Sequence, residues 1–145
     1  MKISTRSRYG MRAMVILARH YRKGPLLLKE IAEKEGISMK YLDHILQTIR
    51  AEGLIQRKKE GYILSQPPEE LRCYEIVKIL EGSLVTMDCM ENPVACEKSE
   101  RCVTVDLWKS VRESIKNTLQ SKTLKDLALS QEKMEPWTFI NRRRK

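Results

Sequence analysis

No stretch of this 145-residue sequence approaches the roughly 18 consecutive apolar residues that a membrane-spanning helix needs. The opening MKISTRSRYG lacks the apolar segment and small-residue cleavage site of a secretory leader, so the expected compartment is the cytoplasm, with no membrane partner. There is no CxxC pair, no glycine-rich phosphate loop, and only two histidines, His20 and His44, neither of them beside paired carboxylates. These absences speak against hydrolytic and dithiol redox catalysis, and the chain is read as a non-enzyme. Acidic residues are scarce in one half only. Residues 1–66 hold 14 Lys/Arg against 6 Asp/Glu, whereas 67–145 are close to balanced, with 14 against 13. A basic excess confined to one region fits a phosphate-binding face, although a merely solubilising surface carries similar charge.

What is present is helical periodicity. A first helix is predicted from about Ser7 to Tyr21, with Met11, Met14, Val15 and Ala18 on an inward stripe and Arg8, Arg12 and Arg19 on another face. Gly24 and Pro25 end it, Leu28 to Glu35 forms a second helix, and Gly36 supplies a turn. Ser38 is placed to cap a third helix running to about Glu52, with Leu42, Ile45, Leu46 and Ile49 turned inward. Its other face carries Lys40, Tyr41, His44, Gln47 and Thr48, side chains suited to base edges and phosphates. LIQRKKEGYILS then reads as a hairpin, Leu54 to Arg57 and Tyr62 to Leu64, whose basic turn offers Arg57, Lys58 and Lys59 to phosphates.

The fold class predicted is mostly α with a small β-hairpin wing: a winged helix-turn-helix followed by a long C-terminal dimerisation helix. A fourth helix is expected to open at Pro67, Pro68, Glu69 and Glu70, and a long helix from about Val103 to Thr123 with Trp108, Val111, Ile115 and Leu119 on one stripe. That stripe suits a partner helix or the chain's own first domain. The divisions drawn are 1–66 for DNA binding, 67–102 for a connecting helix and cysteine loop, 103–130 for dimerisation, and 131–145 for a basic tail ending in NRRRK.

Cys89, Cys96 and Cys102 follow C-x6-C-x5-C in a polar stretch with little periodicity, and Cys73 stands apart as a small buried hydrophobe. In a reducing compartment three loop thiols point to iron–sulfur, zinc or thiol-switch chemistry rather than disulfides. The alternatives are a basic redox enzyme or cluster carrier and a winged helix turned protein-interaction module. His20 is placed at the carbonyl end of the first helix, and His44 on the DNA-facing row.

The opening STRSRYGMRAM, the segment GISMKYLDHILQTIRAEGLI, the GYIL of the wing, EIVKILEG, the cysteine loop and CVTVDLW together resemble the Rrf family of bacterial winged-helix transcriptional regulators, in particular its IscR-like iron–sulfur branch. The resemblance covers nearly the whole chain. It implies a homodimer with crossed long helices, reading a two-fold related DNA operator, and a cluster in the cysteine loop that controls DNA binding. Ser38, Lys40, Tyr41, Asp43 and His44 fall on the family's DNA-contacting positions, and Arg8, Gln47, Arg57, Lys58 and Lys59 complete the expected interface. Cys89, Cys96 and Cys102 fall on its cluster ligands, with [2Fe-2S] favoured over [4Fe-4S]. The histidine that the iron–sulfur branch places after the last cysteine is Val105 here, and Arg6 and Arg8 stand where another branch offers an acidic ligand. The fourth ligand stays open among Asp88, Glu91, Asp106, Cys73 and an exogenous group. The wing turn RKKEGY is shorter than the family's glycine-rich loop.

Overall fold

The computed structural model describes residues 2–84 and 87–135, with only the backbone of Asp88 and Pro93. The NRRRK run and the Asp88 side chain therefore lie outside the described residues. In chain order the elements are α1 (Thr5–Arg19), α2 (Leu28–Glu35), α3 (Met39–Ala51), β1 (Ile55–Lys58), β2 (Gly61–Leu64), a 3-10 turn (Pro68–Glu70), α4 (Cys73–Glu81), α5 (Asp88–Glu91), two further 3-10 turns (Pro93–Ala95, Ser99–Arg101), α6 (Val103–Ser121) and α7 (Leu124–Met134).

The expected winged helix-turn-helix is present. α1 begins two residues earlier than its periodicity indicated, because Ser4 caps it: the Ser4 hydroxyl accepts the Ser7 N–H at 3.1 Å. It ends at Arg19, not Tyr21. Gly36, in the left-handed region at φ 67°, closes α2, and the Ser38 hydroxyl accepts the Tyr41 N–H at 3.1 Å to start α3. Leu42, Ile45, Leu46 and Ile49 are fully buried, which fixes the opposite face of α3 outward.

β1 and β2 pair antiparallel with Ile55 opposite Leu64 and Arg57 opposite Tyr62. Leu26 adds a third rail, giving its N–H to the Tyr62 carbonyl (3.0 Å) and accepting the Tyr62 N–H (2.8 Å). Gly61 at φ 135° packs directly on the Leu26 carbonyl, a position where only a residue without Cβ fits.

Beyond the wing, one expectation is corrected. The fourth helix does not open at Pro67: residues 68–70 make a single 3-10 turn, Leu71 is extended, and α4 starts at Cys73. The reason is long-range pairing, since Leu124 gives its N–H to the Leu71 carbonyl (2.8 Å) and Cys73 gives its own to the Lys122 carbonyl (3.0 Å). The long helix expected from about Val103 to Thr123 is present as α6, Val103–Ser121. Thr123 and Asp126 form a reciprocal capping box that starts α7 as a separate helix packed on α1. Leu71, Ile76, Leu80, Leu124 and Ala128 join the same core as α1 to β2. Near the end of α7, Glu132 accepts two N–H groups from the buried Arg19 side chain (3.0 and 2.6 Å).

The Glu81 carboxylate closes α4 against the start of α1, accepting the Ser4 N–H at 2.8 Å. The Ser7 hydroxyl first, and the Ser4 N–H after it, hold Glu81 below the ordinary carboxylate range. A depressed folded-state pKa contributes stability that is fully present above the unfolded value and is lost as pH falls through the folded one. Melting temperature followed from about pH 6 to about pH 3 should therefore fall less steeply in Glu81→Gln than in the parent chain. Parallel curves would remove Glu81 from the acid response.

Candidate nucleic-acid interface and cysteine loop

The outward face of α3 carries Lys40, His44 and Gln47, all exposed, with Asp43 and Thr48 half-buried beside them. Tyr41 is also half-buried and meets the edge of Tyr9, ring centres 6.2 Å apart, so its ring is braced by α1. Ser38 is committed to its cap. Asp43 takes the Tyr62 hydroxyl on Oδ1 (2.9 Å) and the Gln47 amide on Oδ2 (2.7 Å), so wing and recognition helix meet at this carboxylate. Burial, and then the Asp43 hydrogen bond, push the Tyr62 phenol above its ordinary range, which keeps it a donor.

The exposed edge of the wing supplies Arg57, Lys58 and Lys59. The Arg57 guanidinium lies 6.0 Å from the Tyr62 ring centre. Arg8 stands elsewhere: it borders an apolar groove with Ile3, Met11, Ile115 and Leu119. The α1 arginine on the recognition helix is Arg6, which donates to the Thr48 hydroxyl. Arg6 was missed because its only sequence signal, a position two residues and so roughly 200° around the helix from Arg8, needs the register of α1 to be known. GYIL contains Tyr62, but its bond to Asp43 is a long-range contact that the motif does not show. His20, at the end of α1, lines a pocket of about 380 Å³ with Tyr21, Pro25 and Tyr62, where burial and then Lys23 lower its pKa.

The segment between α4 and α6 carries Cys89, Cys96 and Cys102, all free and half-buried. Cys102 is the cap residue of α6, and its thiol is held below the ordinary range by the Thr104 hydroxyl and then by the Val105 and Thr104 N–H groups. The Cys102 sulfur stands 2.9 Å from the Thr104 hydroxyl oxygen. Cys73 is 3% exposed on α4, with burial and Asp126 raising its pKa, as befits a packed thiol.

As donors, three free thiols on one stretch fit soft iron. As an arrangement they are not gathered: among the described residues no three His, Cys, Asp or Glu side chains stand together closely enough to hold a metal ion. Val105 is 5% exposed, Glu91 is exposed and bonded to Arg112 (3.1 Å), and Asp106 is exposed in the first turn of α6.

α6 touches α4 yet leaves much of its apolar stripe open. Leu107 is exposed, and Trp108, Val111, Ile115 and Leu119 are only half-buried. Ile115 and Leu119 border the apolar groove of about 670 Å³ whose other walls include Ile3, Met11, Val77 and Leu127. Among the described residues no helix is long and apolar enough to cross a membrane.

Comparison with known proteins places this arrangement. The family model Rrf2, described as an iron-dependent transcriptional regulator, matches residues 3–130. The HTH-type transcriptional regulator CymR of Bacillus subtilis is 34% identical over 131 residues, spanning 88% of this chain and 90% of the relative. Its solved structure, that of the global cysteine regulator of B. subtilis, superposes with a TM-score of 0.74 over 88% of this chain and 96% of that one. The structure of T. potens IscR superposes at 0.75, with 35% identity over 93% and 91% of the two chains. An oxidised form of Staphylococcus aureus CymR gives 0.73 at 34% identity, over 88% and 96%.

Proposed function

Because this chain belongs to the Rrf2 family of transcriptional regulators, and so is a regulator rather than an enzyme, we propose that it is a homodimer whose affinity for a two-fold related DNA operator is set by the state of the Cys89, Cys96 and Cys102 loop. The observation that carries this reading is Cys102: one of the three free thiols of this segment, it is also the residue from which α6 starts. Any chemistry that draws the three sulfurs together must act on the first turn of the helix whose apolar stripe offers a dimer seam. α3 and the wing supply the groove contacts, through Lys40, Tyr41, His44 and Gln47 and through Arg57, Lys58 and Lys59, with Ser38 capping the helix and Asp43 bracing Gln47 against the wing.

Cys89, Cys96 and Cys102 would hold an iron–sulfur cluster, [2Fe-2S] rather than [4Fe-4S], with a fourth ligand from outside the aliphatic Val105. When bound, a cluster supplies reversible one-electron redox chemistry and an iron open to small oxidants. The family's iron dependence supports this. A second reading, zinc or a thiol switch without iron, is favoured by the lowered Cys102 pKa, by the dispersed thiols, by the similar global cysteine regulator of B. subtilis, and by the oxidised form of the similar S. aureus CymR.

Visible absorption with iron and sulfide quantification, on protein purified without oxygen, decides between them. Colour that disappears in a Cys89/Cys96/Cys102→Ala variant supports the cluster. Colourless, iron-free protein shifts the site to zinc or thiols.

Dimerisation has its own test. Ile115→Glu sets a charge into the open groove, and sedimentation should then show monomer where the parent shows dimer, with operator affinity falling alongside. A dimer that survives this change does not use that groove.

A further inference from the structure

The interface contains a relay that reaches from the wing to an exposed amide. We propose that Tyr62, acting through Asp43, fixes the orientation of Gln47 and so makes α3 prefer adenine over guanine at one base pair of each half-site. The inference rests on α3 being the helix that enters the major groove.

Tyr62 has little freedom. Its residue is 2% exposed, and its backbone is paired to Arg57 on one side and to Leu26 on the other. Its hydroxyl therefore occupies a set position, donating to Asp43 Oδ1 at 2.9 Å. The second carboxylate oxygen accepts from Gln47 Nε2 at 2.7 Å. A carboxylate only accepts, so the Gln47 amide must turn its NH2 toward Asp43 and its carbonyl away. Gln47 is exposed, on the same face as Lys40 and His44.

With one amide hydrogen held by Asp43, Gln47 has one donor and one acceptor left to present. In the major groove adenine offers the matching pair, an N6 donor and an N7 acceptor. Guanine offers two acceptors, O6 and N7, which a single free hydrogen cannot serve together. Tyr62 and Asp43 are thus positioning residues, and Gln47 is the reader.

Replacing Asp43 by Asn reverses the logic. The Asn carbonyl can still accept from Tyr62, and its NH2 then faces Gln47, which must answer with its own carbonyl. Both Gln47 amide hydrogens are left to face the groove, the pattern guanine requires.

The test is selection by the full-length protein from a pool of randomised duplexes, read by sequencing. The parent chain should prefer adenine over guanine by about tenfold at one base pair per half-site, and Gln47→Ala should abolish that preference. Tyr62→Phe should cut it to about threefold or less while leaving the salt dependence of binding unchanged. Asp43→Asn should move it toward guanine, a change that loss of structure cannot produce, and thermal melts confirm that both variants fold. An unaltered base profile in Tyr62→Phe and Asp43→Asn, with Gln47→Ala still changing it, overturns the relay. If Lys40→Ala, His44→Ala and Gln47→Ala all leave selection and affinity intact, α3 is not in the groove, and the relay falls with that reading.

Discussion

Replacing Lys40 and Arg57 together by alanine should weaken operator binding by roughly 10- to 100-fold near physiological salt, and reduce the slope of log K against log salt by about two. Lys40 stands exposed in the first turn of α3, where the Ser38 cap fixes the entry of the helix. Arg57 stands exposed on β1, steadied by the Tyr62 ring. Each is placed to neutralise a phosphate, and each neutralised phosphate releases its condensed counterion, which is why the salt slope reports them directly. Neither side chain is buried, so stability should stay within about 0.5 kcal/mol of the parent. Unchanged affinity and slope would leave the basic half of the chain as a solubilising surface.

Gly61→Ala should be the most damaging single substitution in the wing. An added Cβ would lie 2.1 Å from the Leu26 carbonyl oxygen and 2.4 Å from its carbon. Both atoms are backbone, so neither can rotate away. Relief requires parting β2 from Leu26, which breaks the two hydrogen bonds of the Leu26–Tyr62 bridge and moves the Tyr62 hydroxyl off Asp43. Two lost hydrogen bonds and a strained φ together cost about 3 kcal/mol or more, roughly a 10 °C fall in melting temperature for a chain of this size. Gly53 gives the control. It too has positive φ, at 80°, but a Cβ there meets nothing within 4 Å. Gly53→Ala should cost only about 1–2 kcal/mol. Equal losses at the two positions would mean that the contact with Leu26 carries no weight.

The contrast between these two glycines shows what periodicity reveals and what it hides. The inward stripe of α3 was legible because Leu42, Ile45, Leu46 and Ile49 repeat at helical spacing and all became fully buried. The hairpin was legible from its basic turn and its flanking apolar pairs. Gly61 could be read as a turn residue, but its packing on Leu26 depends on a contact thirty-five positions away along the chain. The same holds for the opening of α4: Pro67, Pro68, Glu69 and Glu70 are good helix-starting residues, and the pairing of Leu71 with Leu124 overrode them. α7 had a local signal that went unread, the T-x-x-D capping box at Thr123 and Asp126.

The site divides in the same way. Lys40, His44 and Gln47 follow from helical geometry alone, whereas Arg6 and Tyr62 bond to Thr48 and Asp43, partners distant in sequence. The cysteines were conspicuous as a spacing, and spacing does not decide whether thiols converge. Among the described residues they share a segment rather than a centre.

Control of DNA affinity by the cysteine loop is the core of the proposed function. It is tested most directly by titrating a selected operator duplex with protein purified without oxygen, before and after iron chelation or thiol oxidation, in the parent chain and in Cys89/Cys96/Cys102→Ala. A change of about fivefold or more is expected in the parent and none in the variant. Equal affinities across all states of the parent would contradict it, leaving a DNA-binding protein whose cysteines do not regulate it.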